Sequence, residues 1–115
     1  IRWEKKRANP LFVDLGGGTD RNNLAIRLGD LGHYFEAEDC CNQAIVIARE
    51  TEDSYSEAIY LHSLAETYEK EQRFGEAHQV GMQSLAILEE LDHPQADEVR
   101  AWLQALDDSE TRVDE

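Results

Sequence analysis

The stretch Asn22 to Glu50, NNLAIRLGDLGHYFEAEDCCNQAIVIARE, decides the fold. Leu24, Ala25, Leu28 and Leu31 recur at intervals of one, three and three residues, which gathers them on one face of an α-helix. Thr19 or Asp20 is placed to cap that helix through a side-chain oxygen. Gly32, followed by His33, breaks the pattern as a tight turn. A second helix is expected to restart near Phe35 and to bury Ala37, Cys41, Ala44, Ile45 and Ala48.

Downstream, the pattern returns. After the polar connection Thr51-Glu52-Asp53-Ser54, the apolar positions are Ala58, Leu61, Leu64, Ala65 and Tyr68. Gln72-Arg73 forms the next turn, and a fourth helix over about 75–91 carries Ala77, Leu85, Ile87 and Leu88. Asp92-His93-Pro94 ends it. A fifth helix begins near Ala96 and carries Val99, Trp102, Leu103 and Leu106, and the charged remainder, DDSETRVDE, lacks apolar periodicity and reads as a frayed acidic tail. Upstream, Ile1 to Ala8 could be the last turns of an earlier helix, stopped at Asn9-Pro10. Gly16-Gly17-Gly18 reads as a hinge or helix-start signal, because GGGTD has neither the lysine nor the spacing of a phosphate-binding loop.

An offset of forty residues superimposes the two halves. It pairs Leu24 with Leu64, Ala25 with Ala65, Leu28 with Tyr68, Tyr34 with Phe74, Ala37 with Ala77 and Ile45 with Leu85. Similarity at one fixed period marks a helical repeat array. The small residues Ala25, Ala37, Ala65 and Ala77 allow close helix approach, while Tyr34 and Phe74 fill the space beside the turn. A bulky residue at Ala77 is expected to overpack that contact at a cost of ~1–3 kcal/mol.

These residues resemble the tetratricopeptide repeat family. The first copy shows the family pattern as Leu24-Ala25, Leu28, Gly32-x-Tyr34, Ala37 and Ala44. The second keeps Leu64-Ala65, Tyr68, Phe74 and Ala77, with Gln72 in place of the turn glycine and Ser84 in place of the later alanine. The forty-residue period exceeds the family's usual length of about thirty-four and is similar to the extended repeats of kinesin light chains, spindle-orientation scaffolds and bacterial signalling regulators. The extra residues are expected around Glu52 to Glu57. The resemblance implies an all-α fold, with antiparallel helix pairs stacked as a short superhelix and closed by a C-terminal capping helix. The expected division is an N-terminal extension or the end of a preceding repeat over 1–18, and a repeat domain over 19–106. Within it, repeat one spans 19–51, repeat two 57–91 and the capping helix 96–106, and an acidic tail follows over 107–115. Nothing comparable caps the first repeat, so the Leu24–Leu31 face is expected to be covered by Leu11 to Leu15, by a second copy of the chain, or by sequence upstream of Ile1.

Composition narrows the partner. Eleven basic and twenty-five acidic residues give a formal charge of −14, which disfavours nucleic acid and anionic membranes. A basic peptide or an oppositely charged protein is the favoured class. No apolar run approaches the ~18 residues of a membrane span, and the basic start IRWEKKRANP lacks the apolar core of a secretory signal. Cys40 and Cys41 are adjacent on a helix, where their side chains diverge, so reduced thiols and a cytoplasmic setting are expected. No spacing of Cys and His completes a zinc site, and no cofactor is expected.

The resemblance places a ligand groove along the first helix of each pair. Here that face would carry Asn22, Ile26, Gly29 and Asp30 from repeat one, and Ile59, His62, Glu66, Glu69 and Lys70 from repeat two. The clamp that some relatives use for a peptide carboxylate is matched only by Asn22. His33, His62, His78 and His93 are scattered and form no nucleophile–base–orienter set. The expected function is a noncatalytic protein–protein interaction module that binds a peptide or helix. A self-assembling or regulatory segment of a larger bacterial signalling protein is the alternative, and an enzyme the remote one.

Overall fold

A computed structural model describes residues 17–113, with side chains through residue 108. Five helices follow one another: α1 (Gly18–Asp30), α2 (Tyr34–Glu50), α3 (Ser54–Lys70), α4 (Phe74–Glu90) and α5 (Gln95–Val113). No strand occurs among the described residues. Each helix packs on the next, and α1 also touches α3, so the chain builds antiparallel pairs that stack sideways.

The forty-residue period resolves into two units of equal length. Helices α2, α3 and α4 each have 17 residues, and the three turns from α1 to α4 each take three. The extra length relative to a thirty-four-residue repeat therefore lies in the helices. The connection at Glu52-Asp53 is as short as the others, and 54–57 is already the first turn of α3.

All four turns are built alike. The N–H groups of His33, Asp53, Arg73 and His93 donate to the carbonyls of Leu28, Ala48, Tyr68 and Leu88 at 2.8, 2.8, 2.9 and 3.0 Å. One residue earlier, Gly32, Glu52, Gln72 and Asp92 donate to Gly29, Arg49, Glu69 and Glu89 at 3.1, 3.2, 2.9 and 3.0 Å. These paired bonds are the Schellman closure, which satisfies helix-end carbonyls and requires a left-handed residue just past the helix. Gly32 supplies it with φ 85°, and Glu52, Gln72 and Asp92 with φ 54°, 63° and 52°. Gln72 thus makes the turn that the first repeat makes with glycine, at the steric cost of carrying a Cβ there.

Helix starts differ from the sequence expectation in instructive ways. Gly17, not Thr19 or Asp20, is the N-cap of α1, and it offers no side-chain bond. Thr19 lies inside the first turn and shares a 3.2 Å hydrogen bond with the Tyr60 hydroxyl, while Asp20 sits where a carboxylate favours the helix dipole. The second helix starts at Tyr34, one residue before Phe35. At α3, Asp53 caps through both oxygens, accepting from the Ser56 N–H at 3.1 Å and the Ser56 hydroxyl at 2.7 Å. Both bonds hold the Asp53 carboxyl below its ordinary range. The fifth helix runs on to Val113, into the segment expected to fray. No Pro or Gly interrupts DDSETRV, and extending a formed helix adds one hydrogen bond per residue fixed.

The core is continuous. Ala25, Ala37, Cys40, Cys41, Ala44, Ile45, Tyr60, Leu61 and Leu64 form one buried cluster, and Ala58, Leu85, Leu88, Val99 and Leu103 form another; Ile87 touches both. Ala25, Ala37, Ala65 and Ala77 are buried, with Tyr34 and Phe74 half-buried beside the turns. Cys40 and Cys41 are free and buried, and burial pushes the Cys41 thiol up to about 12. Ser84 occupies the place of Ala44 and remains buried because its hydroxyl donates to the Ala58 carbonyl of α3 at 2.7 Å. Leu31 departs from the expected buried stripe. It follows the end of α1 as the C-cap and is 73% exposed, while Leu24 and Leu28 are half-buried. The Leu11–Leu15 segment suggested as their cover lies outside the described residues.

Candidate functional site

The first helices of successive pairs, α1, α3 and α5, lie side by side, and their contacts join residues forty apart. Lys70 Nζ pairs with Asp30 at 2.9 Å, the Tyr55 hydroxyl donates to Gln95 Oε1 at 2.6 Å, and the His62 ring meets the edge of Trp102 at 5.1 Å. The same register gives Asn22, His62 and Trp102 corresponding places on the three helices.

Between α1 and α3 the face opens into a cleft of about 180 Å³, lined by Ala25, Ile26, Cys41, Ser63, Glu66, Thr67 and Lys70. Small residues make the room. Ala25 keeps α1 low, and the Thr67 hydroxyl turns back to donate to the Ser63 carbonyl of its own helix at 3.0 Å. Ile26 is 45% exposed at this cleft, with Glu66 also exposed at its edge.

The residues expected on this face therefore divide. Ile26, Glu66 and Lys70 come together around the cleft, and Asp30 joins them through its ion pair with Lys70. Gly29 is buried beside Lys70, whose Nζ would lie 3.4 Å from a Cβ there. Asn22 is buried at 7% exposure, and its Oδ1 has no hydrogen-bond partner among the described residues. Ile59 is half-buried against the first core cluster. His62 and Glu69 belong to a different arrangement, centred on α5.

That arrangement is anchored by Trp102, which sequence reading placed simply as an inward residue of the cap. Its indole Nε1 donates to Glu69 Oε1 at 3.1 Å, and its ring seats on Gly81 of α4. A Cβ at position 81 would come within 2.8 Å of that ring. The available signal was the period itself, since 102 follows 62 by the same forty residues.

At the opposite turns, Arg73 stacks 4.5 Å from the centre of the Tyr68 ring and pairs with Glu38, Glu71 and Glu76. Burial, and then the neighbouring Glu71, push the Glu38 carboxyl above its ordinary range, despite the pull of Arg73. The hydrogen bond from Arg73 holds Glu76 below it. This hub ties α2 to the α3–α4 turn.

The four histidines occupy separate settings. His33 lies 3.7 Å from Glu36, His78 lies 3.6 Å from Asp107, His62 meets Trp102, and His93 Nδ1 accepts from the Gln95 N–H at 3.1 Å. Among the described residues, no group of three or more His, Cys, Asp or Glu side chains is placed to hold a metal ion. No helix there is long and apolar enough to cross a membrane.

A stack of antiparallel helix pairs with small residues at the crossings and a shared face of first helices defines an α-helical repeat protein. The chain belongs to the tetratricopeptide repeat family, whose model matches residues 19–90. Membership makes it a protein–protein interaction module in general terms. No match was found among curated proteins or solved structures.

Proposed function

We propose that the face formed by α1, α3 and α5 binds a peptide or helical segment of a partner protein, without catalysis and in a cytoplasmic setting. The observation that carries this reading is the cleft between α1 and α3, where an exposed isoleucine lies beside a carboxylate at a small, partly open volume. A peptide side chain seated there would bury apolar surface worth about 25 cal/mol per Å² before the costs of ordering are met. The acidic character of the chain favours a partner with basic residues.

The test uses two isoleucine- or valine-to-arginine exchanges of matched exposure. Ile26 on α1 is 45% exposed, and Val46 on α2 is 46% exposed. Partners retained by the intact protein in a pull-down should be lost with Ile26→Arg and kept with Val46→Arg. The opposite pattern would move the binding surface to α2.

A second reading, self-association, is favoured by Leu31 and Phe35, exposed by 73% and 81%. In repeat two the same positions hold Glu71 and Gly75, so the fold does not require an apolar side chain at either. Light scattering of the intact chain should show concentration-dependent growth that Phe35→Glu abolishes. A monodisperse monomer at high concentration would count against this reading.

A further inference from the structure

We infer that selection at the α1–α3 cleft rests on Glu66, which reads a lysine or arginine lying next to the partner's apolar anchor, and that Glu69 is a positioning residue. This rests on the proposed peptide-binding role of the face. The charges there are unequal in availability. Lys70 is matched by Asp30 at 2.9 Å. Glu69 is half-buried and accepts from the Trp102 indole at 3.1 Å, so its carboxylate is committed to holding α5. Glu66 is exposed at the cleft beside Ile26 and has no ion pair among the described residues. Among the residues that line the cleft, Glu66 is therefore the charge without an ion pair, set beside the exposed Ile26.

The chemistry selected is an aliphatic side chain flanked by a cation. A segment ending in a carboxylate would meet Glu66 with a like charge.

The experiment is fluorescence polarisation on the intact chain with three labelled dodecapeptides. All three carry a central leucine, and the flanking positions are lysine, alanine or glutamate. Amide shift mapping runs in parallel. The expected order of affinity is lysine, alanine, glutamate, with shifts centred on Ile26, Ser63 and Thr67. A single exposed ion pair changes affinity by about two- to fivefold. Glu66→Lys should reverse the order, while Glu69→Gln should leave it unchanged and instead shift the Trp102 indole N–H resonance. Glu66 is exposed, so its variants are expected to fold, and circular dichroism checks this. Binding at the cleft with an order indifferent to Glu66→Lys overturns the inference but leaves the peptide-binding role intact. Absence of binding, with no shifts on α1 or α3 for any of the three, overturns both.

Discussion

Repeats one and two share their turns and their small crossing residues, yet they differ at the positions where a neighbour arrives. Cys41 in repeat one corresponds to Gly81 in repeat two, and only the glycine has an indole resting on it. Ala44 corresponds to Ser84, which gains a buried bond to the next helix. Gly32 corresponds to Gln72, which adopts the same left-handed turn less comfortably. The difference teaches that the scaffold tolerates exchange wherever backbone bonds carry the geometry, and resists it where one repeat has been shaped to its next helix.

Exchanging residues between the copies tests this directly. The largest effect is expected from Gly81→Cys, because the new Cβ would lie 2.8 Å from the Trp102 ring and 2.9 Å from Leu103. Urea denaturation should show a loss of about 2–3 kcal/mol, with a change in Trp102 fluorescence as α5 shifts. Unchanged stability would mean that α5 adjusts freely. Next is Gln72→Gly, which relieves a left-handed Cβ but increases the freedom of the unfolded chain. A net gain of about 0.5–1 kcal/mol is expected, and Gly32→Ala should lose about as much. Should Gln72→Gly destabilise the protein, the two turns are not equivalent.

Ser84→Ala removes one buried donor while leaving the Ala58 carbonyl in its helix. The expected cost is about 0.5–1 kcal/mol, read as a lower thermal midpoint. The smallest effect concerns Glu38, whose counterpart in repeat two is His78. Its folded-state pKa is raised, so its contribution to stability is present below the unfolded value and is lost as pH rises through the folded one. Lowering the pH from neutral toward that range should therefore stabilise the protein through this group. Glu38→Gln should flatten that rise in thermal midpoint, and an unchanged slope would place the titration elsewhere.

The architecture was legible because it repeats. Leu24-Ala25 and Leu64-Ala65 announce the same helix face twice, and the capping helix follows from Val99, Leu103 and Leu106. The common turn was hidden because Gly32, Glu52, Gln72 and Asp92 include a glycine, an amide and two acids; their likeness lies in backbone N–H bonds, which side-chain identity does not report. The cap of α1 was misplaced because Thr19 and Asp20 are both competent capping residues, and the glycine ahead of them took the position with no side chain at all. At the candidate site, Ile26, Glu66 and Lys70 could be gathered from helical register. The separate settings of Glu66 and Glu69 could not, since they depend on where a tryptophan from another helix ends its reach.

Four junctions of one design have a consequence for how such a chain can grow. A crossover at any of them joins a helix to a helix through the same closing bonds, whichever member of a pair comes first. Lengthening by a single helix is therefore as easy to connect as lengthening by a pair. A recombined gene would need new side-chain matches across the helix faces, and at a joint only where a side chain reaches over it, as Arg73 does to Glu38.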